Sequence, residues 1–177
     1  LLLSVGIGLG AVWAYVVLGW GGYWGWDPVE NASLLSWLTG VALLHSMTVV
    51  RKRKRYQHWA IASAAITFIF VIMATFITRS GLVQSVHAFT EDRVSAFFFI
   101  AMMVLAALSA IIGLFVRKGT LGDADDISSL ASKNATYYLT NVIMFAAAAL
   151  LAYLTIAPAL PAFLPFGGTA ILPTLYN

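Results

Sequence analysis

Long apolar runs separated by short polar stretches dominate this chain. Runs over roughly 1 to 20, 28 to 50, 59 to 78, 95 to 116 and 136 to 157 are each of a length that crosses a bilayer as a helix. They predict an all-α integral membrane protein, with about five transmembrane helices in one polytopic domain over residues 1 to 177. An aromatic segment at 20 to 37 overlaps the start of the second run, polar stretches at 51 to 58 and 117 to 135 follow the second and fourth, and a loop at 79 to 94 follows the third. The first run has no basic leader and no small-residue cleavage site, so it reads as a membrane helix and not as a signal peptide.

Composition agrees. With 61% hydrophobic and 10% charged residues, the chain has more apolar surface than a soluble domain of 177 residues could bury. The net charge of +3 is concentrated in Arg51-Lys52-Arg53-Lys54-Arg55, which is a topology signal and argues against nucleic-acid binding. The positive-inside rule puts that run in the cytoplasm, together with 117 to 135, where Asp123, Asp125 and Asp126 dilute the signal. The aromatic segment and the loop at 79 to 94 then share the outer side. The absence of cysteine excludes disulfides, a CxxC redox pair and a thiolate nucleophile from these 177 residues. A first residue other than Met suggests a fragment of a longer protein.

Trp20-Gly21-Gly22-Tyr23-Trp24-Gly25-Trp26-Asp27-Pro28-Val29-Glu30-Asn31 carries the most chemistry. An interfacial aromatic belt would account for the rings, but a belt tolerates almost any order. Here glycines alternate with rings, which lets backbone approach a flat ligand closely. Asp27, Pro28 and Glu30 match an N-cap, a first helical position and a capping box. A rigid cap would also fix the angle at which Trp24 and Trp26 meet a ligand.

The histidines divide by context. His58 follows the basic run, where a solvated imidazole needs no function. His45 lies inside the second run, which leaves an interhelical hydrogen bond or metal ligation open; Gly40 and Ala42 nearby suggest a seat for a flat cofactor. It is seventeen residues beyond Pro28, about 25 Å along a helix at about 1.5 Å per residue. A histidine in the outer loop cannot share its metal. His87, in that loop, could simply be solvated. Arg79 ends the third run, either snorkelling to lipid phosphate or pairing with a ligand carboxylate, with Arg93 a weaker candidate.

The aromatic segment, with Trp37 and Ala-Leu-Leu-His-Ser at 42 to 46, resembles the WWD motif of membrane haem-handling proteins. Thr78-Arg79-Ser80-Gly81 and Ser85-Val86-His87-Ala88-Phe89 are most similar to the CcmF-like haem lyase components of cytochrome c maturation. The resemblance covers most of residues 10 to 116 and continues more weakly to Pro-Thr-Leu-Tyr-Asn at the end. It implies that His45 is an axial ligand of a membrane haem b and that His87 is one of two outer histidines holding a transient haem. Trp20, Trp24, Trp26, Asp27, Glu30, Asn31 and Trp37 would form the haem-binding surface, with Arg79 on a propionate. The activity implied is covalent attachment of haem to the CxxCH cysteines of apocytochrome c, with the inner haem as electron relay and quinol as a reductant. The implied partners are a CcmE-like haem chaperone, a CcmH-like component presenting apocytochrome c, and the lipid bilayer. The implied location is a bacterial inner membrane, or an organellar one, with His87 facing the periplasmic or outer side. A haem exporter or carrier of the same superfamily and a quinol-oxidising cytochrome b are the alternatives.

Overall fold

Five α-helices and one 3-10 turn make up the regular structure among the residues described by this computed structural model, 1–19, 21–53, 57–88, 92–121 and 132–169. They are α1 (Leu2–Val16), α2 (Pro28–Arg53), α3 (Gln57–Ser80), α4 (Arg93–Val116) and α5 (Lys133–Ile156), with the turn at Ala157–Ala159. The stretches Pro28–Lys52, Gln57–Ser80, Arg93–Val116 and Ala135–Ala159 are long and apolar enough to cross a membrane, and the chain is a multi-pass membrane protein.

α2 is the hub: α3, α5 and α1 each pack on it, and α4 packs on α3. It plays this part although it is the least hydrophobic of the five helices, because its buried stripe consists of small or polar residues that let neighbours approach closely. Ala32, Leu35, Thr39, Ala42 and Ser46 are all fully buried. Their polar groups are satisfied locally or across the interface. Ser36 Oγ donates to the Ala32 carbonyl at 3.2 Å and Thr39 Oγ1 to that of Leu35 at 3.0 Å. Asn141 Nδ2 of α5 donates to Ser46 Oγ at 2.8 Å, a buried bond joining two helices. Towards the aromatic end, Leu35 meets Ala148 and Leu151 of α5, with Trp26, Phe70 and Met73 against them.

The element ends differ from expectation for identifiable reasons. The run over 1 to 20 is helical only to Val16, because the chain turns through Gly19 and Gly21 at φ +65° and +75°, a region glycine reaches without penalty. At 15 residues α1 is about 22 Å long, short of a hydrocarbon core of about 30 Å. Four full-length spanning helices and one shorter one therefore stand, among the described residues, where five equal spans were expected. α2 continues past residue 50 to Arg53, since Arg and Lys are good helix formers and their charge suits a helix C-terminus. Of the stretch at 51 to 58, residues 54–56 lie outside the described residues, as does most of 117 to 135. The loop at 79 to 94 narrows to 81–92, because α3 runs to Ser80 and Asp92 caps α4 by accepting from Val94 N–H at 3.0 Å.

Replacing Asn141 with Ala removes the buried α2–α5 bond and lowers stability by about 1 kcal/mol, within the range of interhelical bonds in membranes. The check is a shift of the SDS-unfolding curve of the full-length protein to lower detergent fraction.

Candidate functional site

The turn before α2 is built by its own carboxylates. Asp27 Oδ2 accepts from Val29 N–H at 3.0 Å, which makes Asp27 the N-cap of α2. Glu30 Oε2 accepts from the N–H groups of Gly25 at 2.9 Å and Asp27 at 3.3 Å. The second of these bonds closes the expected capping box. Asn31, buried in the helix start, donates through Nδ2 to the Trp26 carbonyl at 3.2 Å. These bonds hold Trp26 at φ +56°, a left-handed conformation that a bulky residue adopts only when its surroundings impose it. The Trp24 and Trp26 rings meet edge to face, 6.3 Å between centroids and 79° between planes.

The loop after α3 folds onto the same carboxylate. Ser85 Oγ donates to Asp27 Oδ2 at 2.6 Å and Val86 N–H to Oδ1 at 3.1 Å. His87 Nδ1 lies 3.0 Å from Oδ2, and its own N–H donates to Ser85 Oγ at 3.0 Å. The Asp27 side chain is 10% exposed and that of His87 40%. The carboxylate is therefore largely shielded from water while the imidazole can be reached.

His87 lines a cleft of about 250 Å3 between α1 and the start of α2, with Trp24, Val29, Glu30 and Ser33 on its side and Gly6 and Gly10 opposite. A Cβ at either glycine would meet nothing within 4 Å, so the α1 wall is open where a flat face could lie. Trp24 Nε1 is buried without a hydrogen-bond partner. Sites for small ligands run from about 300 to 1,000 Å3. This cleft is too small to enclose a macrocycle and suits one edge of it. Ring walls, a reachable imidazole oriented by a carboxylate and an unpartnered indole N–H fit the edge and iron of haem.

α2 places His45 well away from this cluster. The His45 side chain is half-buried, its Nδ1 is buried without a hydrogen-bond partner, and its ring lies 5.6 Å from that of Tyr137 on α5, tilted by 58°. The two small residues expected to form a seat beside His45 do not share one open face. A Cβ on Gly40 would meet Thr67 of α3 at 3.9 Å, and Ala42 is fully buried. Five residues at 100° each carry Gly40 to another face of the helix, where it serves packing.

Of the other expected site residues, Trp24, Trp26, Asp27, Glu30, Asn31 and His87 are brought together, and Trp20 lies outside the described residues. Trp37 is deeper on α2, where Nε1 donates to Ser4 Oγ of α1 at 2.9 Å. Arg79 does not line the cleft; its carbonyl accepts from Asp92 N–H at 3.0 Å. The Ser95 hydroxyl, backbone N–H groups and the Arg79 charge together hold the Asp92 carboxyl below its usual value. Arg93 lines a separate apolar groove between α3 and α4 with Phe76, Ser80 and Phe97. Sequence reasoning quoted Ser85 in a motif without giving it a role and missed Tyr137 and Asn141. Only Ser85 had a signal, two positions from His87.

The family model described as "Cytochrome C assembly protein" matches residues 1–87. The chain is 37% identical over 177 residues to the cytochrome c-type biogenesis protein CcmF of Escherichia coli (strain K12), covering 100% of this chain and 27% of that protein. It is 40% identical over 179 residues to the probable cytochrome c-type biogenesis protein NrfE of the same strain, covering 99% of this chain and 32% of that protein. Identity to the cytochrome c-type biogenesis protein ccl1 of Rhodobacter capsulatus is 40% over 148 residues, 84% of this chain and 22% of that protein. The chain thus spans about a quarter of the length of the first of these relatives. No solved structure matches it.

Ser85→Ala removes the bridge between Asp27 and the His87 backbone at a cost of about 1 kcal/mol. Hydrogen exchange of the Val86 and His87 amides should speed up about fivefold, with the amides of α2 unchanged.

Proposed function

This chain belongs to the CcmF-type cytochrome c-type biogenesis proteins, and we propose that it supplies one wall of a haem-attachment site in cytochrome c maturation. The observation that carries the reading is His87, held by Asp27 at 3.0 Å and lining the cleft beside Trp24. Haem is the substrate at this site and supplies two vinyl groups. Each vinyl group takes up one thiol of an apocytochrome CxxCH segment, sulfur bonding to one carbon and hydrogen to the other, with no net oxidation. The residues of this chain do not enter that bond change. His87 would hold the iron, Trp24 would lie against the ring edge, and the apolar α1 wall would keep water from that edge. The lack of cysteine here is compatible with this chemistry, because both thiols belong to the apocytochrome.

The second part of the reading concerns His45. Its half-buried imidazole, at a depth of about 25 Å below the start of α2, supports His45 as a residue that would hold a separate haem b, which would supply electron transfer toward the outer site. Quinol is the proposed reductant. A CcmE-like chaperone delivers haem and a CcmH-like component presents the apocytochrome. The basic end of α2 lies in the cytoplasm and the cleft faces the periplasmic side of a bacterial inner membrane, as the run of cations from Arg51 supports.

Reduced-minus-oxidised spectra of the purified full-length protein, with cytochrome c maturation scored in the same cells, test both parts. His45→Ala should lose the stable haem b signal and His87→Ala the outer haem, with maturation reduced at least tenfold in each. If both variants keep their spectra and mature cytochrome c normally, the haem roles of both histidines are wrong. If His87→Ala attaches no haem although haem still reaches the outer site, the lyase role stands; if the wild type hands haem to an acceptor without attaching it and His87→Ala loses only that transfer, the chain is a carrier.

A further inference from the structure

We infer that Asp27 is a positioning residue for His87, holding the imidazole through Nδ1 so that Nε2 is the nitrogen offered to iron, and biasing the bound iron toward its ferric state. This rests on the proposed ligation by His87 and adds to it the group that controls the ligand. An ionised carboxylate only accepts, so the contact of 3.0 Å between Nδ1 and Oδ2 puts a proton on Nδ1 and, in the neutral ring, the lone pair on Nε2. Asp27 itself is held by Val29 N–H on the helix side and by Ser85 Oγ and Val86 N–H on the loop side. It therefore cannot turn away from the ring without breaking the cap of α2. The helix N-terminus also favours negative charge at that position.

A carboxylate on the far nitrogen of a metal-bound imidazole makes the ligand more basic. A more basic ligand stabilises ferric over ferrous iron and so lowers the midpoint potential. Asp27 acts only through His87 in this scheme. Its effect is separable from its capping role, since Asn and Ser are N-caps about as good as Asp. Serine is too short to reach the His87 ring. Asparagine keeps an acceptor oxygen for Nδ1 but lacks the charge.

The test is the potential of the haem whose spectrum His87→Ala abolishes, measured by spectroelectrochemistry on the haem-loaded full-length protein, wild type beside Asp27→Asn and Asp27→Ser. Asp27→Ser should lose about tenfold in ferric preference, which is about 59 mV upward for a one-electron couple. It should also retain haem about tenfold more weakly, the low end for loss of an outer partner. Asp27→Asn should shift upward by less. A purely structural role would leave the potential unmoved, and unchanged potentials in both variants overturn the inference. Should Asp27→Ser fail to fold, Asp27→Asn decides alone, with an unchanged potential counting against. If His87→Ala leaves every haem signal intact, the ligation by His87 fails instead, and the two failures are distinguished.

Discussion

Asp27 accepts hydrogen bonds from Val29 at the start of α2 and from Ser85, Val86 and His87 in the loop that follows α3. A carboxylate so shielded from water loses hydration, and a set of four bonds replaces it. Two consequences follow from this saturation. The loop is tied at this point to the start of α2, so its position over the end of α3 depends on where α2 begins. The direction of α2 in turn depends on the packing of its small-residue stripe against α3 and α5. The position of one imidazole thus traces back through a helix cap to the buried contacts of the hub helix.

The hub explains why the aromatic turn can sustain strain. A bulky residue such as Trp26 at φ +56° costs on the order of 1–3 kcal/mol. Asn31 holds its carbonyl and Glu30 holds the N–H groups on either side, at Gly25 and Asp27. Both side chains project from the first turn of α2, whose own position is fixed by burial of Ala32 and Leu35 one turn later. Packing energy in the helix bundle is thereby transferred to a turn that would relax in isolation. α1 stands outside this arrangement. Among the described helices it packs on α2 alone, with Trp37 on Ser4 at its deep end, and Tyr15 stacks on Tyr23 of the aromatic turn at 4.6 Å near the other. The cleft lies between those two ties, where Gly6 and Gly10 supply no side chain.

How much of this could be read from the sequence depended on how local each cause is. The apolar runs announced the spanning helices, because hydrocarbon thickness is a constraint on length alone. The capping box was legible because N-cap, first helical residue and third helical residue lie within four positions of one another. Helix ends were less so, since Gly19 shortened α1 and Arg51 to Arg53 prolonged α2, and neither effect belongs to hydropathy. The pairing of Asp27 with His87 joins residues 60 positions apart, and that of Asn141 with Ser46 joins residues 95 apart. Nothing in either neighbourhood specifies the partner. Gly40 shows the opposite failure: a small residue beside His45 suggested a cofactor seat, whereas the choice of face was made by α3.

The two histidines then differ in kind. His87 has Nδ1 3.0 Å from a shielded carboxylate and a ring partly open to solvent, which suits the proposed exchangeable ligand. His45 sits within the span of α2, against the Tyr137 ring, with one nitrogen buried and unpartnered, an arrangement that costs about 1–3 kcal/mol unless something bonds that nitrogen. On the proposed function that cost is offset by a partner from outside these residues. This contrast in support is what the proposed roles require, an exchangeable ligand at the surface cleft and a resident one at depth.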